Sequence, residues 1–255
     1  MSDTYSAVDR SSDARGAADW QDRIDGWPAI AAYKRRTYEL LGPHQPRLDV
    51  GCGTGHDLRA LGAGAVGVDL SVVMCERARA RNMSICVGDA LQLPFASRSC
   101  AAVRADRVLQ HVADSQGSLA ELVRVTKPGG RVVLSDPDQG SLLIELPGVS
   151  AALVQRVTQL RREIGYRNGV NARRLPNACA ELGLVDITID AFPLVLTDPD
   201  DAFGLAGWVE YWRAEGPFDD RAQAEWAAAV QRARTRTGFV FAVLYLVVSG
   251  QKPSD

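Results

Sequence analysis

The stretch Leu48 to Asp57, LDVGCGTGHD, decides how this chain is read. Residues 47–50 form a short strand-like run, glycines then alternate at positions 51, 53 and 55, and a polar pair opens a helix. Alternating glycines after a strand mean that backbone passes close to something a Cβ would block. In a doubly wound sheet that place lies outside the carboxyl ends of the strands, where ligands bind. Asp69 closes the next strand, 18 residues beyond Gly51, where a carboxylate can accept hydrogen bonds from a ribose diol. The spacing is G-x-G-x-G followed by His56-Asp57, without the third glycine that tucks a helix around a pyrophosphate. That lowers the reading as an NAD-dependent oxidoreductase, the main competing enzyme class. Asp49 sits inside the strand, where a buried carboxylate is costly unless it accepts N–H bonds, and the loop's own amides are the expected donors.

Outward from this loop the periodicity keeps alternating. A helix is expected from Pro28, with its stripe at Ile30, Tyr33, Thr37, Leu40 and Leu41. Strands are expected at 65–69, 84–87, 101–105 and 131–135, with a helix capped by Ser71 and another opened by a capping box from Ser118 to Glu121. Strands and helices repeating in this way imply a parallel sheet with right-handed crossovers. Beyond Asp136 the rhythm changes: a helix at 149–164, another near 176–182, a long strand at 185–197 broken at Pro193, and a last strand at 239–249. The two final strands read as an antiparallel pair at one end of the sheet.

The 255 residues carry a formal charge of −2, with 46% apolar and 24% charged residues, which suits a soluble globular domain and not a nucleic-acid binder. Five cysteines without a CxxC pair and three histidines suggest neither a disulfide framework nor a zinc site, and reduced thiols fit the cytoplasm. No signal peptide is read in residues 1–26, and the apolar run 239–248 is half of what a membrane span requires. Residues 1–27 are expected to be a flexible tail or a lid, and 28–255 one domain with a substrate-cap insertion at 139–172. Oligomeric state is left open, a homodimer included.

LDVGCGTG, then VGVDLS at 66–71, VGDALQLPF at 87–95 and VTKPGGRVVLSDPD at 125–138 follow one another in order. Together they resemble the class I S-adenosylmethionine-dependent methyltransferases, in particular the small-molecule group with ubiquinone-type and natural-product enzymes. The resemblance implies an α/β, Rossmann-like fold: a seven-stranded, mostly parallel sheet with an antiparallel edge strand and helices on both faces. It implies S-adenosyl-L-methionine as cofactor and a small organic molecule as methyl acceptor. Asp49, Gly51, Cys52, Gly53 and Gly55 would lie under the methionine part, Asp69 would hold the ribose hydroxyls, and Leu70 would pack on adenine. Asp89 would accept from the adenine amino group and Ala90 would offer it a backbone N–H. A cofactor-binding relative without methyl transfer remains the alternative from another class.

Arg36 borders the apolar helix face and could reach the methionine carboxylate, or else be a solvated helix charge. His111, in ADRVLQHVAD, follows the fourth strand at the same sheet edge and is the candidate general base. His44 reads as a surface turn residue, and His56 as a cap or cofactor contact. Positions 105–108 lack the (Asp/Asn/Ser)-Pro-Pro-aromatic tetrad found in methyltransferases of adenine or glutamine amino groups. Asp106, Asp136 and Asp138 are expected to be exposed loop carboxylates and no metal site. The acceptor pocket is expected from residues 5–36, 139–172 and 203–212; Trp208, Tyr211 and Trp212 share one helical face, which reads as core or, failing that, as a wall for a flat acceptor.

Overall fold

Alternation along the strands sorts the side chains onto two faces of one sheet. The computed structural model describes residues 8–10, 13–213 and 218–254. Its strands are β1 (Arg47–Val50), β2 (Val66–Asp69), β3 (Ile85–Val87), β4 (Cys100–Asp106), β5 (Thr126–Glu145), β6 (Val185–Leu196) and β7 (Val240–Gln251). They form a seven-stranded sheet in the order β3-β2-β1-β4-β5-β7-β6. Strands β1 to β5 pair in parallel, and β7 runs antiparallel to both β5 and β6. This is the Rossmann-like class I architecture expected from the sequence. Its antiparallel strand, β7, is slotted between β5 and β6. The strand order reverses between β1 and β4, which opens a crevice at their carboxyl ends.

Leu48, Val50, Val103, Ala105, Val132 and Leu134 point into one core, shared with α5 (Ser115–Val125) and α7 (Leu175–Glu181). Ala102, Val133, Phe241 and Val243 point into the other, under α2 (Pro28–Leu40), α6 (Ala151–Glu163) and α9 (Asp220–Ala233). Helix α2 begins with proline in its first turn, and α4 (Val72–Ala80) begins where the Ser71 hydroxyl accepts from the Met74 N–H.

Several expectations shift. The capping box at Ser118 does not form: the cap of α5 is Asp114, which accepts from the Gly117 N–H at 2.9 Å. Ser118 is buried, and Glu121 instead accepts from the Leu93 N–H and pairs with Arg124. Strand β5 runs 20 residues and not five, so 139–145, the start of the expected insertion, continues the sheet with Leu143–Glu145 paired to β7. Strand β6 passes through Pro193 unbroken, which the missing N–H permits on an edge strand.

At the N-terminus, helix α1 (Ala14–Asp25) lies over the crest of the sheet. Asp22 pairs with Arg81 and Arg77 and accepts from the Thr54 hydroxyl at 2.6 Å, while Asp9 accepts from the Val72 N–H at 2.7 Å. Of the segment expected as a tail or lid, this part is folded; residues 1–7, 11 and 12 lie outside the described residues.

Candidate cofactor and acceptor site

The glycine loop leaves β1 and folds back over the end of β2. The Gly51 and Cys52 N–H groups donate to the Val68 carbonyl, and the Gly53 N–H donates to Asp69 at 2.8 Å. The loop's amides are therefore spent inside the protein, and its glycines serve close approach. Gly51 and Gly53 both have positive φ, and a Cβ on Gly51 would strike the Val108 side chain at 2.4 Å. A Cβ on Gly53 would overlap Gln21 of α1. The loop is thus sandwiched between the turn after β4 and the N-terminal helix.

A cavity of about 340 Å³ opens at this crest. Gly51, Gly53, Asp69, Leu70, Asp89 and Ala90 line one side of it. Asp69 is half-buried and accepts from Gly53 and Ser71 N–H groups, one on each oxygen, which orients the carboxylate and leaves lone pairs for a ligand. Burial raises its pKa above the ordinary carboxylate value, against the pull of those two bonds. Asp89 is exposed at the rim, held by the Leu91 N–H at 2.9 Å. Between the two acids, Leu70 and Leu91 leave apolar surface uncovered, at 57% and 37% exposure, which suits a flat ring.

Three of the loop residues named from sequence lie beneath this surface. Asp49, Cys52 and Gly55 do not line the cavity. Cys52 turns its sulfur toward Gly67, and a Cβ on Gly55 would crowd Ala78 of α4. Asp49 is held not by loop amides but by Arg104, its direct neighbour in the β1–β4 register, at 2.9 Å. Arg104 also meets Asp57 and Asp106, and Lys34 meets Asp25, Asp57 and Asp106. With Arg107, which pairs with Asp25, the cluster sets three cations against four carboxylates. Burial would raise the pKa of Asp57, but Arg104 and Lys34 outweigh it and hold the carboxyl well below its usual range.

Arg36 is not part of this. It leaves the sheet crest and pairs with Asp190 on β6 at 2.7 Å and with Glu39. Lys34 takes the inward position, being four residues after Ile30 and three before Thr37 on the buried face of α2. The cation that lines the cavity on the loop side is Arg107, just after β4, with φ +58°. His56 and His44 are exposed and lie outside the cavity lining.

The opposite side of the cavity comes from distant segments. His111 lines it, and its ring lies 5.5 Å from that of Tyr166. The turn that carries His111 is clamped by Asn168, whose side-chain amide donates to the Leu109 and Val112 carbonyls at 3.0 and 2.8 Å. Trp20, Phe203, Phe241 and Tyr245 add aromatic walls. Trp208 and Trp212 are buried in the core, in line with the core reading of that stripe, while Tyr211 is exposed. Asp106, Asp136 and Asp138 are all buried, contrary to the expectation of exposed loop carboxylates. Asp106 joins the ion cluster, Asp138 binds Arg173, and Asp136 accepts backbone N–H groups of Leu109 and Gln110. Burial lifts the pKa of Asp136 well above its ordinary value, with Asp106 adding to the rise.

Residues 48–134 match the family model described as a methyltransferase domain. An uncharacterized protein from a Streptomyces fradiae transposon is 33% identical over 250 residues, covering 91% of this chain and 70% of that one. A demethylmenaquinone methyltransferase from Mycobacterium sp. (strain JLS) is 40% identical over 109 residues, 41% of this chain and 47% of the enzyme's own length. Among solved structures, phosphoethanolamine N-methyltransferase 2 of Haemonchus contortus, in complex with S-adenosyl-L-methionine, superimposes with a TM-score of 0.60. Its identity is 19%, over 98% of this chain and 60% of that one, a likeness of fold. The chain belongs to the class I S-adenosylmethionine-dependent methyltransferase fold family. The side of the cavity lined by Gly51, Asp69 and Asp89 lies at the crevice between β1 and β4.

Proposed function

We propose that this protein binds S-adenosyl-L-methionine across the sheet crest and transfers its methyl group to a nucleophile of a small organic molecule. The observation that carries the reading is one continuous cavity with acids at two ends of one side and a histidine on the other. Neutral nucleosides present hydroxyl and amino donors, and the Asp69 and Asp89 carboxylates are acceptors of matching kind. Asp69 would hold the ribose hydroxyls, Leu70 and Leu91 would flank adenine, and Asp89 with the Ala90 N–H would meet its edge. Beneath the loop, the excess carboxylate of the ion cluster favours the positive end of the methionine portion, and Arg107 is placed for its carboxylate.

When bound, S-adenosyl-L-methionine supplies an electrophilic methyl group. The chain's part is alignment and exclusion of water: α1 with Trp20 covers the crest, and Asn168 fixes the turn that presents His111. His111 would accept the proton of the acceptor at an imidazole nitrogen where the nucleophile is a hydroxyl. Calorimetric titration with S-adenosylmethionine, S-adenosylhomocysteine and NAD tests the cofactor, with binding of the first two and none of the third expected. Mass analysis of products then separates transfer from binding alone.

A further inference from the structure

The cavity contains a buried guanidinium that the cofactor side does not use. Arg161, on the last turn of α6, is 6% exposed and lines the cavity. The other buried arginines at this site are compensated: Arg104 meets three aspartates and Arg107 meets two. Among the described residues no carboxylate pairs with Arg161, and its Nε has no hydrogen-bond partner. Its polar contact is the Tyr166 hydroxyl, which accepts from Nη2 at 2.9 Å. Its guanidinium carbon stands 4.1 Å from the centre of the Trp208 ring and 5.9 Å from that of Phe203.

Aromatic faces alone do not balance such a group. A desolvated cation–π contact returns less than the burial of an ion costs, even after relaxation. A missing anion would close that gap, and the place for it is the cavity itself. Tyr166 touches both Arg161 and the His111 ring, so the cation, the phenol and the candidate base share one end of the site. The surrounding walls, Phe203, Phe241 and Tyr245, are apolar and flat.

We infer that Arg161, with Tyr166, anchors a carboxylate on the methyl acceptor, so that the acceptor is a small, flat, mostly apolar acid. The inference rests on the proposed function and names the acceptor class for that site. A carboxylate fits better than a phosphate because a single buried guanidinium balances one negative charge; Arg167, the neighbouring cation, is exposed at the rim.

The test is calorimetry on the full chain saturated with S-adenosylhomocysteine. Benzoate, cinnamate and indole-3-acetate are titrated against their neutral amides, with phenyl phosphate as a further probe. At least one acid should bind about tenfold or more tightly than its amide, the gain of one charge-assisted pair. In R161M that preference should vanish while the affinity for S-adenosylhomocysteine stays within about twofold; R161K should keep part of it. Methionine replaces an uncompensated cation, so R161M should also unfold no earlier than the parent chain. Acids and amides binding alike, no acid binding, or a preference that survives R161M would each overturn the inference. Tighter binding of phenyl phosphate than of all three acids would overturn the carboxylate assignment. Absence of S-adenosylhomocysteine binding by the parent chain would count against the cofactor reading alone, and the acids are then titrated without it.

Discussion

The two sides of the cavity are built in different ways. The side with Gly51, Asp69 and Asp89 comes from about forty consecutive residues, each placed by the end of a strand and the turn after it. The side with Trp20, His111, Arg161, Phe203 and Tyr245 is drawn from five segments spread along the chain. Beneath the first lies an ion cluster in which every cation meets an acid, and within the second a cation with no partner acid among the described residues. On the proposed reading, the side that holds a fixed cofactor satisfies its charges internally, and the side that selects an acceptor leaves one charge for the acceptor to satisfy.

The largest effect should come from the support under the first side. R104M would leave Asp49, Asp57 and Asp106 facing one another in the core, and denaturant unfolding should show a loss of about 3–5 kcal/mol. A loss below about 1 kcal/mol would mean that the cluster is not what holds the loop. On the second side, H111A should lower turnover about 100-fold on a hydroxyl acceptor while cofactor affinity is kept. An unchanged rate would remove His111 as base and leave alignment as the chain's contribution.

Smaller effects sharpen the assignment of each side. D69A should weaken S-adenosylhomocysteine binding by about 1–3 kcal/mol, and D69N, which keeps the shape, by less. Equal affinity in all three would detach the ribose from Asp69. For Asp136 the prediction concerns pH. Its folded pKa is raised well above the unfolded value, so its contribution is full below about pH 4 and declines as pH rises toward the folded pKa. D136N lacks that decline, so its stability relative to the parent should improve with pH, by at most about 1.4 kcal/mol per pH unit. A difference that is flat between pH 5 and 8 would show that Asp136 is not a protonated core group.

The contrast also explains what was legible in the sequence. Strand ends and turns are local, so the loop and Asp69 could be read from spacing, as could the parallel sheet, while Asp89 entered through the family resemblance. What the glycines approach could not: Val108 and Gln21 meet the loop only after the chain has folded. The Asp49–Arg104 pair had a signal, since each is a charged residue amid apolar neighbours on strands that pair directly. Lys34 also had one, on the same helical face as Ile30 and Thr37, while Arg36, two residues further around the helix, points to Asp190. The length of β5 was hidden because Pro137 and Gly140 interrupt its pattern, and beyond Ser135 the strand is carried by its pairing with β7. Arg161 carried no local signal at all; its meaning lies in the absence of a partner acid among the described residues, which is visible only in three dimensions.

The most direct test of the nucleoside assignment is a crystal structure of the chain with S-adenosylhomocysteine bound. Both ribose hydroxyls should lie within hydrogen-bond distance of the Asp69 carboxylate, with adenine between Leu70 and Leu91 and the sulfur turned toward His111. Ligand density away from the crest between β1 and β4, or a ribose facing Arg161, would contradict it.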